Sequence, residues 1–178
     1  MSSLTSVESR DEVLLRSLRK YYADPAALRV LTDVLKNKTK VSLRTLDWLV
    51  TNYSKKNNTF YSHKNKTVNI FLEYKGCLKA FSKRSFDPFQ RRERIEITDA
   101  DGLPMQSTTG QLNFFRFAIS MGVVLYAIKH ATVIEADMLH AIRHRISKTE
   151  PKTKRKELSK AAIKTATTTD IKVTVRFS

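Results

Sequence analysis

The chain has 178 residues, 41% of them hydrophobic, which suits one compact domain with a real core and argues against a disordered chain. Its 33 Lys and Arg against 17 Asp and Glu leave a net charge of +16, an excess that a polyanion would offset, with nucleic acid the default partner. Cys77 is the single cysteine, so an intrachain disulfide framework and a thiolate metal cage are excluded and a reducing compartment is expected.

The start, "MSSLTSVESRDEVLLRSL", carries acids early and lacks a basic stretch followed by an apolar run, so no secretory signal is expected. Ser9 and Glu12 have capping-box spacing before Leu14, Leu18 and Tyr21, which recur at helical intervals. Asp24 and Pro25 then supply an N-cap and a first helical residue, followed by the stripe Leu28, Leu31, Leu35. Ser42 caps a third expected helix with Leu43, Leu46, Val50 and Tyr53 on one side and Trp48 on another. Residues 54–67, "SKKNNTFYSHKNKT", read as a basic loop. From Val68 the spacing of Phe71, Tyr74, Leu78 and Phe81 predicts an amphipathic helix, with Lys75, Lys79 and Lys83 on a separate stripe.

In "FSKRSFDPFQRRERI", residues 81–95, Asp87 and Pro88 restart the chain while Phe86 and Phe89 are expected to anchor it to the core. Arg91, Arg92 and Arg94 would then project from a pinned backbone, which lowers the ordering cost of binding phosphate. The competing reading gives those guanidinium groups to Glu93, Glu96 and other acids of the chain itself. A short strand at 94–98 and a "DADGLP" turn lead to a second capping pair, Thr108 and Gln111, opening a helix buried on nearly all sides and closed by Gly122. Arg116 within it needs a partner or a route to water. No stretch approaches the roughly 20 apolar residues of a spanning helix, so no membrane insertion is expected.

Thr132 and Glu135 form another capping-box pair, before Ile134, Met138, Ala141 and Ile142. On that helix Asp137, His140 and His144 have the donor types of a metal site, but no fourth ligand is evident and Arg143 and Arg145 crowd it. They read as an exposed His pair, and neither metal nor cofactor is expected. Residues 148–170 read as a mobile basic arm and 171–177 as a strand returning to pair with the domain, with 94–98 the candidate partner. The expected organisation is therefore a mainly α (α+β) fold, with a helical domain over 1–147, the arm over 148–170 and the last strand within 171–178.

Charge is not spread evenly. Residues 55–94 hold eleven Lys or Arg against three acids, residues 143–164 nine against two, and the remainder is nearly balanced. One surface is thus expected from Lys55, Lys56, Lys64, Lys66, Lys83, Arg84, Arg91, Arg92 and Arg94, and a second from Lys152, Lys154, Arg155, Lys156 and Lys160. No phosphate-binding Gly loop, nucleophile elbow or Cys–His pair appears, so no enzymatic activity is expected. No helix-turn-helix or finger signature supports base readout.

Three blocks, "SLRTLDWLVTNYSKKNN", "YKGCLKAFSKRSFDPFQRRERI" and "TTGQLNFFRFAISMGVVLYAIKHATVIEADM", resemble the core of a small family of basic proteins of nucleocytoplasmic large DNA viruses, the giant viruses. The likeness spans roughly residues 41–138. It implies a viral setting, in the virion, host cytoplasm, viral factory or nucleus, and transfers no catalytic residue. Together with the charge, it leads to the expectation of a DNA-binding protein that meets duplex phosphates with little sequence readout, in genome organisation or packaging. The alternative is an internal virion or minor capsid protein whose basic faces meet acidic viral proteins.

Overall fold

The computed structural model describes residues 9–148. Its helices are α1 (Arg10–Tyr21), α2 (Pro25–Leu35), α3 (Leu43–Trp48), α4 (Ser54–Asn57), α5 (Ile70–Phe81), α6 (Thr109–Ser120), α7 (Val123–Lys129) and α8 (Ala131–Lys148). A π-helical segment, Leu49–Tyr53, joins α3 to α4 without leaving helical backbone. Two antiparallel hairpins complete the described residues: β1 (Phe60–His63) with β2 (Lys66–Asn69), and β3 (Ile95–Thr98) with β4 (Pro104–Ser107). The fold is mainly α with a small β component, as the periodicity predicts.

Several helix starts follow from single side chains. Ser9 Oγ accepts from the Glu12 N–H while the Glu12 carboxylate accepts from the Ser9 N–H, closing the expected box. Asp24 caps α2 ahead of Pro25, and Ser42 Oγ accepts from the Thr45 N–H. Thr108 caps α6 through the Gln111 N–H, but the Gln111 side chain turns elsewhere, so that box is half formed. The third expected box does not form. Helix α8 begins at Ala131, ahead of Thr132, and Glu135 instead accepts from Thr45 Oγ1 at 3.3 Å, a tertiary partner that outcompetes the local one.

The core centres on α6, as its composition predicts. Phe114, Phe115 and Ala118 are fully buried, and they pack with Leu18, Leu31, Leu46, Leu49, Ile70 and Ile134. Gly122 ends α6 at φ 75°, and α7 leaves at 71° to it. A Cβ on Gly122 would stand 2.5 Å from His63 Nδ1, so the β1–β2 hairpin closes against this turn in a space only glycine leaves. Among the described residues no single helix is long and apolar enough to cross a membrane.

Two expectations are corrected. Residues 54–67 are not a loop: α4 runs to Asn57, Asn58 terminates it in the left-handed region, and β1 and β2 follow. The tip residues Lys64 and Asn65 both have positive φ, 49° and 61°, as a tight hairpin turn requires. Lys83 does not extend the Lys75–Lys79 stripe, because Ser82 at φ 62° ends α5 first. The β3 strand pairs with β4 across the Asp99–Leu103 turn, and the expected strand at 171–177 lies outside the described residues, as does the 148–170 arm beyond Lys148. Among the described residues the first compact unit ends at Ala141, within α8.

Candidate nucleic-acid interface

The segment after α5 has no regular structure, yet α6 holds it by its backbone. Gln111 Nε2 donates to Pro88 O and Asn113 Nδ2 to Ser85 O, both at 2.8 Å, and the Asp87 N–H donates to Gly110 O at 3.2 Å. Gly110 permits this approach, since a Cβ there would meet Arg84 O at 3.0 Å. Between these clips Phe86 is buried against Tyr74, Phe114 and Phe117, and Pro88 is buried beside it. Phe89 is only half-buried, so Phe86 and Pro88 do most of the anchoring.

Lys83, Arg84, Arg92 and Arg94 emerge from this clipped backbone with exposed side chains and, among the described residues, form no ion pair. Arg91 differs from them. Its guanidinium lies 4.8 Å above the Phe89 ring and 3.6 Å from Asp87 Oδ2. Burial pushes the Asp47 carboxyl above its ordinary pKa and Asp87 adds to that, while Arg91 pulls it back. Arg91 is thus engaged with acids of its own chain, whereas its neighbours are not.

Lys55, Lys56, Lys64 and Lys66 lie toward the other end of α5, whose 12 residues span about 18 Å. Lys56 is bound to Asp137 at 2.6 Å, and that carboxylate also accepts from Trp48 Nε1 at 2.9 Å. The Lys56 contact, with Trp48 assisting, holds the Asp137 carboxyl below the usual range despite its partial burial. Asp137 is therefore committed to structure, and among the described residues no three His, Cys, Asp or Glu gather to hold a metal. Lys64 sits in the exposed hairpin tip and Lys66 follows it.

What joins the two ends is a pair of lysines that charge counting alone did not single out. Lys55 and Lys75 share the Phe71 ring, at 6.0 and 5.9 Å. Lys79 lies one turn further along α5 and lines a groove with Arg10, Arg84 and Arg116. Arg84 also lines the adjoining groove with Arg92. The track Lys55–Lys75–Lys79–Arg84–Arg92 is continuous, though Asp11, Glu12 and Glu93 dilute its last groove. The helical stripe of Lys75 and Lys79 was the available signal for it. Lys152, Lys154, Arg155, Lys156 and Lys160 lie outside the described residues.

An uncharacterised protein of Acanthamoeba polyphaga mimivirus is 35% identical to this chain over 136 residues, covering 71% of this chain and 52% of that protein. The chain thus spans about half the length of that giant-virus relative, which agrees with the viral setting implied by the three blocks. No solved structure matches. A family model matches residues 5–178, nearly the whole sequence, and the chain belongs to that family, the family of unknown function DUF7197.

Proposed function

We propose that this chain is a non-enzymatic viral protein that binds nucleic acid, duplex DNA foremost, through phosphate contacts with little sequence readout, and that it serves genome organisation or packaging. The observation that carries the reading is the set of exposed cations on clipped backbone, Lys83, Arg84, Arg92 and Arg94, which no described carboxylate pairs. A preorganised Arg fork loses little freedom on meeting phosphate. Lys75 and Lys79 extend that surface along α5, and Lys56 and Arg91 are its weakest members because each already holds a carboxylate.

Binding of mixed-sequence duplex DNA followed across salt tests it. With about five phosphates neutralised, the log–log slope is expected near −4.5, and sequence scrambling should leave it unchanged. Replacing Lys83, Arg84 and Arg92 together by Glu should flatten the slope and weaken binding at least tenfold without unfolding the protein. A folded protein that ignores DNA at low salt refutes the reading. Release with the shell instead of the genome from gently opened particles would then favour an internal virion role against acidic proteins.

A further inference from the structure

We propose that the groove between α1 and the end of α5 is a pocket for a phosphomonoester, with Arg116 at its floor and Arg10, Lys79 and Arg84 at its rim. Arg116 is half-buried on the central helix and permanently charged. Its Nη1 donates to Ser17 Oγ at 3.0 Å, its Nη2 to Asn113 Oδ1 at 2.7 Å, and its guanidinium faces the Phe81 ring at 5.7 Å. All of these partners are neutral. A guanidinium has five N–H donors, so the two contacts leave donors unspent and the charge unmatched.

Around it the groove, of about 660 Å³, gathers three further cations and a single carboxylate, Asp11. Such a site lacks a counter-charge that a ligand would supply, since a partly buried charge is costly without one. A phosphodiester brings one negative charge. A monoester brings nearly two, with three strong acceptor oxygens, which matches four cations converging on a concave site better than a passing backbone does. Val13, Leu14 and Ala80 form an apolar wall beside the cations, against which the carbon skeleton of the ester can lie.

For the source of the phosphate the inference rests on the nucleic-acid reading: the ligand is the terminal phosphate of a strand. Two oligonucleotides of one sequence, one terminally phosphorylated and one ending in hydroxyl, should differ about tenfold in affinity at equal salt, the range of one or more charge-assisted hydrogen bonds. Arg84→Gln, at an exposed position that cannot disturb the core, should erase most of the difference, and Arg116→Gln should erase it entirely. Inorganic phosphate and a nucleoside monophosphate, titrated against the full chain by NMR, should saturably shift Ser17 and Asn113. Equal affinity for the two oligonucleotides with no such shifts overturns the pocket and leaves backbone binding standing. Shifts with phosphate but no binding of either oligonucleotide uphold the pocket and overturn the nucleic-acid reading. A preference that survives both substitutions locates the monoester elsewhere and also overturns the pocket.

Discussion

Gln111→Met should loosen the basic segment without touching a charged residue. The Gln111 amide is fully buried and holds three parts of the chain together: Nε2 donates to Pro88 O, while Oε1 accepts from Ser107 Oγ at 2.9 Å and from Gln90 Nε2 at 3.2 Å. Met matches its length and volume, so the cavity term is small and the loss is polar. Gln90 is exposed and keeps its bond to Gln106 O, so it suffers little. The Pro88 carbonyl and the buried Ser107 hydroxyl lose partners, and at roughly 1–3 kcal/mol for each unsatisfied buried group the total comes to about 2–6 kcal/mol. Urea titration should show the fall as a lower midpoint at unchanged slope, and hydrogen exchange at the Asp87 N–H should accelerate. A midpoint within about 0.5 kcal/mol of wild type, with Asp87 still protected, would refute the idea that these amides clip the segment.

Arg91→Glu should destabilise by about 1 kcal/mol, since it sets a third acid beside Asp87 and Asp47, whereas Arg92→Glu and Arg94→Glu should stay within about 0.5 kcal/mol; equal thermal midpoints for all three would refute the distinction. The carboxyl of Asp99, bound by Lys36 and by the N–H groups of Leu103 and Asp101, is pulled down to about 2. Because the folded value lies below the unfolded one, its stabilisation is complete above about pH 4 and is lost as pH falls toward 2. Asp99→Asn should therefore flatten that limb of the acid-unfolding curve, and an unaltered curve would count against the pairing.

How far the sequence carried depended on whether a signal was local. Ser9–Glu12, Asp24–Pro25 and Ser42 bring their partners within three residues, and each cap is where the spacing predicts. The α6 core was legible because its apolar residues leave almost no polar face. The first hairpin was hidden: its strands are four residues each, only Tyr61, His63, Val68 and Asn69 are even partly buried, and its tip uses Lys64–Asn65 where Asn–Gly would announce a turn. Glu135 illustrates the opposite failure, a strong local motif whose carboxylate is claimed by Thr45 from 90 positions away. At the candidate interface, charge counting found the exposed cations of 83–94. It could not separate Arg91 and Lys56 from them, because their carboxylates are fixed only by folding, and it passed over Lys79 and Arg116, whose meeting depends on α1 and α5 closing one groove.

The π-helical segment Leu49–Tyr53 has a consequence for the angular setting of this helix. In a regular α-helix residues eight apart are about 80° out of line, so Trp48 and Lys56 would point to different neighbours. The wider π turn between them unwinds most of that offset, and the two side chains close on the two oxygens of one carboxylate, Asp137. The segment therefore works as a phase shifter, absorbing one extra residue while it keeps an indole and an ammonium in register. Deleting Thr51 to restore an unbroken α ladder would leave Trp48 and Lys56 seven apart and only about 20° out of line, so both should still reach Asp137, whereas an unbroken α ladder of the present length would turn Lys56 away from it.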